Sequence, residues 1–282
     1  MKKTLKKLVK FLFNKKLKKI HKLKDLEKGK TCYIIGDGFS LRSYDLKFFK
    51  KYDSISLSFL PFHKEFDYIN CKYCLLIQPY FFYGPTWSAA STNPPKKHFW
   101  NNKIGKYFRE KIINRYKDKI FITHLSNYFL LKNNKNNYFI LNKFNDEGFD
   151  EFLKVKNLNP WEGSLKAGIL FAIYLGYKKI YLVGCDYADN PITVGHWYEK
   201  SIEKQLSENE SLKQFDENLK HFFDSLNDII DIKIITSHNN QNDKRFVSYE
   251  KHSGLSLKNN ERNQLIGEET LSILKCYAGY YL

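Results

Sequence analysis

Three short stretches of this 282-residue chain hold the residues best suited to chemistry. The first is Gly36-Asp37-Gly38, with Ser40 just beyond, at the end of the apolar run TCYII. Glycines at a strand end permit positive φ and let backbone come close to a ligand, and the N–H groups of a following helix would face a phosphate. Leu41 stands where a third glycine would complete G-x-G-x-x-G, so a dinucleotide fingerprint is disfavoured and a plain tight turn is the competing reading. The second stretch is Gly163-Ser164, where Ser164 is a natural N-cap for a helix and the small residues Ala167, Gly168 and Ala172 let that helix lie close to a sheet. The third is Asp186-Tyr187, after the run KKIYLVG, followed in VGHWYEK by His196 and Tyr198. Asp186 at a strand end could bind a ribose, orient a ligand or cap the next turn. An imidazole titrates in the range useful for proton transfer, which makes His196, in a loop past a strand end, the candidate base. His238 is its competitor, and surface or capping roles are the commoner use of any histidine. Ser58 and Gln78 end the apolar runs SISLS and CLLIQ and belong to the same set by position.

Other chemistries find less support. The chain has no D-x-D, the pair with which many transferases of UDP- or GDP-sugars hold a divalent metal, so a metal-independent leaving group is expected. Cys71 and Cys74 form a C-x-x-C, but no second pair at similar spacing completes a zinc site, and buried thiols are the better reading. Five scattered cysteines in a chain too long to need staples favour a reducing cytoplasm.

The elements that must position these residues alternate in type. Apolar runs at 31–36, 54–58, 74–78, 119–123, 138–141, 178–184 and 231–236 read as short strands. Helices are expected at 40–51, 103–117, 164–175 and 266–278, with helical spacing through much of 198–229 and a shaped loop at 79–100. This pattern implies an α/β fold with a mainly parallel sheet and helices on both faces, in which ligands bind beyond the carboxyl ends of the strands.

The net charge of +17 would suggest nucleic acid if it were spread over the surface. It is not: residues 1–30 hold thirteen lysines against Asp25 and Glu27, and no nucleic-acid motif accompanies them. Within 4–26, Leu5, Leu8, Val9, Leu12, Phe13, Leu17 and Ile20 recur at helical spacing between lysines. The longest apolar stretch there is FLF, too short to span a bilayer, and it lacks a signal-peptide core. A basic amphipathic helix over 1–28 is therefore expected, lying on an anionic membrane surface through residues 1–26, with docking on the body or on another subunit as the alternative. The expected location is the cytoplasm, peripheral on the inner face of the membrane.

Taken together, GDGFSL and GYKKIYLVGCDY resemble the GNGPSL and GYKEIYLSGIDF elements of the bacterial sialyltransferases of Campylobacter-type lipooligosaccharide synthesis (the glycosyltransferase family 42 type) and of the related motility-accessory-factor superfamily. The resemblance covers residues 31–47 and 159–190. It implies a modified Rossmann-like fold over 29–282 with a small lid at about 188–228, a CMP-activated sialic acid-like or other ulosonate donor, a glycan or glycolipid acceptor, inversion, and neither metal nor cofactor. It implies that Gly36, Asp37 and Gly38 lie beside the nucleotide, that Ser164 serves the sugar carboxylate and phosphate, and that Asp186 is the acid of the strand-end motif. Leu165 replaces the family's glycine and Ala188 its phosphate-contacting tyrosine, for which Tyr187 and Tyr198 are the stand-ins. The family's base is a lid histidine, here assigned to His196 although the spacing is shorter. The alternatives are a pyrophosphate- or nucleotide-transferring enzyme of the same superfamily and a non-catalytic membrane-surface adaptor with a relict nucleotide pocket. A homo-oligomer is compatible with either.

Overall fold

The computed structural model describes residues 11–84, 101–141, 163–188, 193–199, 203–204, 219–237 and 244–278. Among them eight strands form one sheet: β1 (Thr31–Ile35), β2 (Ser54–Leu57), β3 (Cys71–Leu76), β4 (Ile120–His124), β5 (Asn137–Ile140), β6 (Lys179–Val183), β9 (Asp231–Thr236) and β10 (Phe246–Ser248). A further pair, β7 (Thr193–Val194) and β8 (Glu203–Lys204), lies outside it. The sheet order is β10-β9-β6-β1-β2-β3-β4-β5, and every pairing within it is parallel. The expected α/β architecture, with a parallel sheet covered on both faces, is what the chain adopts.

Alternation along the strands divides the core in two. In β1, Cys32 and Ile34 point into one apolar layer while Tyr33 and Ile35 point into the other. One layer is dominated by rings, with Phe59, Phe62, Phe66, Phe81 and Phe108 all buried, which is where the high aromatic content goes. The other is built on the helix Ser164–Tyr174, in which every residue from Lys166 onward is buried, so it is apolar all round rather than amphipathic. A Cβ on its Gly168 would lie 2.9 Å from a Leu57 methyl, and the missing side chain is what lets the helix settle on β1 and β2.

Three elements depart from the sequence-based expectation. The helix expected over 40–51 is two 3-10 turns, Phe39–Ser43 and Leu46–Lys51, because Tyr44 and Asp45 are extended and the Asp45 carboxylate accepts the Lys47 N–H. The stretch 103–117 is an α-helix, Asn102–Phe108, that widens into a π-helix at Arg109–Asn114. The edge strand β10 had no apolar run long enough to announce it.

The N-terminal segment is helical at 11–17 and continues as a 3-10 helix, Lys18–Leu23. It lies along the β5 side of the sheet: the Lys19 ammonium donates to the carbonyls of Lys135 and Asn137. Phe13 meets Tyr128 edge to face at 5.0 Å, and Leu23 is buried. The segment thereby covers a sheet edge that would otherwise offer unpaired backbone groups. Residues 1–10, which include Leu5, Leu8 and Val9, lie outside the described part. No helix among the described residues is long and apolar enough to cross a membrane.

Candidate functional site

Strands β2 to β5 run away from β1 on one side, and β6, β9 and β10 on the other, so the sheet reverses direction of growth between β1 and β6. At such a switch point the loops leaving the two strands part company and open a crevice at the carboxyl ends. A cavity of about 620 Å³ occupies this place. The turn after β1, the ends of β2 and β3, the first turn of the Ser164–Tyr174 helix, the end of β6 and the segment around His196 all contribute to its wall. That volume lies within the range of small-molecule sites.

The glycines of the first motif line this cavity and also let two loops meet. Neither Gly36 nor Gly38 lies in the left-handed region. A Cβ on Gly36 would sit 2.5 Å from the Gly184 carbonyl oxygen, and one on Gly38 would sit 2.6 Å from Asp186 Cγ. The turn after β1 is pressed against the end of β6, and the Gly38 N–H donates to Gly184 O at 2.8 Å. Gly184 is the left-handed residue of the set, at φ +61°. Asp186 bolts the two loops together: one carboxylate oxygen accepts the Ser40 N–H at 2.9 Å and the other accepts the Ser40 hydroxyl. Charge-assisted bonds of this kind are roughly twice as strong as neutral ones.

His196 is held by the same turn. Gly38 and His196 form an antiparallel bridge, and the Trp197 N–H donates to Asp37 O. The Arg42 guanidinium accommodates the other side, donating to the carbonyls of Trp197 and Glu199. The His196 ring then lies between two carboxylates: Nδ1 is 2.9 Å from Glu199 Oε1, and Nε2 is 3.9 Å from Asp37 Oδ2. A carboxylate can only accept, so Glu199 fixes the proton on Nδ1 and turns Nε2 toward Asp37. Burial pulls the imidazole pKa down, but the charges of Asp37 and Glu199, with the Glu199 hydrogen bond, outweigh it and push the pKa up to about 9. Burial also raises the Asp37 carboxyl above its usual range, against the pull of the His196 charge and of backbone hydrogen bonds.

Opposite His196 stands the helix opening. Ser164 is not the N-cap: that place is taken by Gly163 at φ +99°, with no side-chain cap, and the Ser164 hydroxyl instead lies 3.4 Å from the Ser58 hydroxyl. The N–H groups of the first turn are therefore not used by a capping side chain, beside the Ser164, Leu165 and Lys166 section of the cavity wall. Ser58 holds a left-handed φ of +47°, an uncommon conformation for a residue with a side chain, at the wall itself.

The fold thus brings together Gly36, Asp37, Gly38, Ser58, Gln78, Gly163, Ser164, Asp186 and His196 on one cavity. Ser40 stands behind, holding Asp186. Tyr198 is buried and stacks on the back of the His196 ring at 5.1 Å, away from the cavity wall. The side chain of Tyr187 and all of His238 lie outside the described residues. Sequence reading missed Glu199 and Lys166. Glu199 was signalled by H-x-x-E spacing in HWYE, which brings positions i and i+3 together in a turn, while nothing local marked Lys166 as buried, at 5% exposure, beside the cavity.

No family model and no curated protein matches the chain. Two solved structures align with most of it. The sialyltransferase CstII from Campylobacter jejuni, in complex with the substrate analogue cytidine-5'-monophosphate, is 16% identical over 88% of this chain and 99% of that one, with a TM-score of 0.41. A point mutant of the α-2,3/8-sialyltransferase CstII is 15% identical over 87% and 100%, with a TM-score of 0.43. At that distance the likeness concerns the fold, and no residue's role is transferred from it.

Proposed function

We propose that the chain moves a sialic acid-like or other ulosonate sugar from a CMP-activated donor to a glycan hydroxyl, with inversion. The observation that carries this reading is that GDGFSL and GYKKIYLVGCDY, far apart in sequence, are bolted to each other at the switch point and share one cavity. In the proposed reaction the acceptor oxygen forms a bond to the anomeric carbon as the bond from that carbon to the CMP phosphate breaks, through an oxocarbenium-like transition state. The hydroxyl proton goes to His196 Nε2, and CMP leaves with both electrons of the broken bond. The first-turn N–H groups at Ser164 lie at the cavity wall where a departing phosphate would gain from them. Because the pKa of His196 is held near 9, its base form is a minority at neutral pH and grows as pH rises, so turnover should climb toward pH 9.

Titration of the purified chain with CMP in the presence of EDTA tests the donor class, with UDP, GDP and ATP as comparators and with Mn²⁺ or Mg²⁺ added in parallel. CMP binding in EDTA is expected. If UDP with Mn²⁺ or ATP with Mg²⁺ binds and CMP does not, the donor class is wrong. His196→Ala should lower kcat by roughly a hundredfold and leave CMP affinity near wild type.

A further inference from the structure

The docked N-terminal segment changes what can reach a membrane. Of the apolar residues that sequence periodicity would aim at a lipid surface, Phe13, Leu17 and Ile20 pack against the body, and Leu23, further along the segment, is buried, so none of these four is available to lipid. Phe11 and Leu12 are not used in this way and are 79% and 65% exposed. The body supplies a matching residue. Phe129, from the short helix Tyr128–Leu131 against whose Tyr128 the segment docks, is 68% exposed.

Charge follows the same geography. Residues 11–24 carry Lys15, Lys16, Lys18, Lys19, Lys22 and Lys24, and residues 125–137 carry Lys132 and Lys135, with no aspartate or glutamate in either stretch. Lysines from both converge: Lys16 and Lys19 of the segment and Lys132 and Lys135 of the body ring one cavity of about 350 Å³. Burial and the neighbouring charges of Lys22 and Lys16 lower the Lys19 pKa, as expected where cations crowd without acids.

We infer that residues 11–24 and 125–137 form a single docking surface for an anionic lipid bilayer, with Phe11, Leu12 and Phe129 entering the interface and the four-lysine cavity receiving lipid phosphate. Cations alone would suit any polyanion. Three large apolar side chains on the same two segments, each about two-thirds or more exposed, are what a bilayer uses and a nucleic acid backbone does not. The surface is rigid where an isolated amphipathic helix would be adaptable, because Lys19 is tied to the β5 end of the sheet through two carbonyls.

The test uses the full chain and the exposed pair Lys132→Glu/Lys135→Glu, with Lys50→Glu/Lys51→Glu as a charge-matched control elsewhere on the body. Co-sedimentation is measured with phosphatidylcholine vesicles with and without phosphatidylglycerol. The intact chain should bind only the anionic vesicles, and the Lys132/Lys135 variant should bind them roughly tenfold or more weakly although residues 1–26 are unchanged. The control should bind as wild type, and both variants should keep the wild-type melting temperature. A second variant, Phe129→Ser, should weaken vesicle binding while leaving retention on heparin unchanged. If the Lys132/Lys135 variant binds vesicles as tightly as wild type, the body is not part of the surface and the proposal fails. It fails equally if the wild-type chain ignores anionic vesicles and binds duplex DNA or RNA instead.

Discussion

Replacing Glu199 by glutamine should lower the pKa of His196 by removing one of the charges that raise it. The amide oxygen of glutamine can still accept the Nδ1 proton, so ring orientation is kept; the charge goes, and with it the oxygen that accepts the His196 backbone N–H at 3.1 Å. Two unit charges 3.9 Å apart, the separation of His196 Nε2 from Asp37, interact by about 4 kcal/mol at an effective dielectric of 20, and Glu199 is nearer still. Burial opposes both carboxylates, and the ring is a third open to solvent, which screens them further. What remains is the rise from 6.5 to about 9. Because burial works against the carboxylates, together they supply more than this net rise, and removing one of the two near charges should lower the pKa by about one unit or more. The rising limb of kcat/KM against pH should shift down by the same amount, so that the variant outperforms wild type relative to its own maximum near pH 7.5. An NMR titration of the labelled His196 ring reads the same midpoint without turnover. The linkage sign agrees: a pKa raised in the folded state adds stability that is complete below about pH 6.5 and lost as pH rises through about 9. That loss should be smaller in the Glu199→Gln chain. An unchanged midpoint in the variant would refute the electrostatic reasoning. A wild-type profile that falls through pH 9 instead of rising would make the imidazolium, not the imidazole, the active form.

Four further outcomes are expected. Gly38→Ala places a methyl 2.6 Å from Asp186 Cγ and 2.7 Å from the Gly184 carbonyl, so a urea melt should show a loss of about 2 kcal/mol or more, and calorimetry should show CMP binding lost with it. Asp186→Asn leaves one oxygen for the two Ser40 donors and should cost about 1–3 kcal/mol in the same melt. Leu23→Ala, at a buried position, should cost about 2–4 kcal/mol, while Leu12→Ala, at an exposed one, should stay within about 0.5 kcal/mol. Alkylation of the native chain followed by mass spectrometry should mark Cys276, which is exposed, well before Cys71 and Cys74, which are buried with their sulfurs 3.8 Å apart.

The fold was legible where burial dictates residue type along a whole segment. The apolar runs of β1, β6 and β9 could be little else than strands buried on both faces, and Gly163 to Gly176 bounded a helix whose small residues face the sheet. It was less legible where a single side chain redirects the backbone. Asp45 interrupts a stretch whose composition suits a helix, and only its bond to the Lys47 N–H, with Tyr44 and Asp45 extended, reveals the break. The candidate site was readable as a set of strand ends, because a parallel sheet gathers them. The reasons for its residues were not. Gly36 and Gly38 read as room for a phosphate, and they are also room for Gly184 and Asp186, a contact between segments that no local spacing announces. Tyr198 looked like a ligand contact and is the floor beneath His196. Amphipathic spacing at 4–26 likewise marked a helix with an apolar face, without saying that the body would claim much of that face.

The place of β1 between β2 and β6 has a consequence for how the chain is made. Tyr33 pairs with Ser54, close behind it, and on its other side with Tyr181. A nascent chain that has emerged only to residue 177 can assemble β1 to β5, yet it must leave one whole side of β1 unpaired and the Cys32 and Ile34 layer without Leu219, Phe222, Phe223 and Leu226. Such long-range closure is slow, and an open parallel edge of this kind is a template for association with other chains. The cavity is made by the same closure, since its two halves hang from β1 and β6. Productive folding and completion of the site are therefore one late event during synthesis, and a ribosome stalled before β6 would present a sticky half-sheet for chaperones to shield, its site lacking Asp186 and His196.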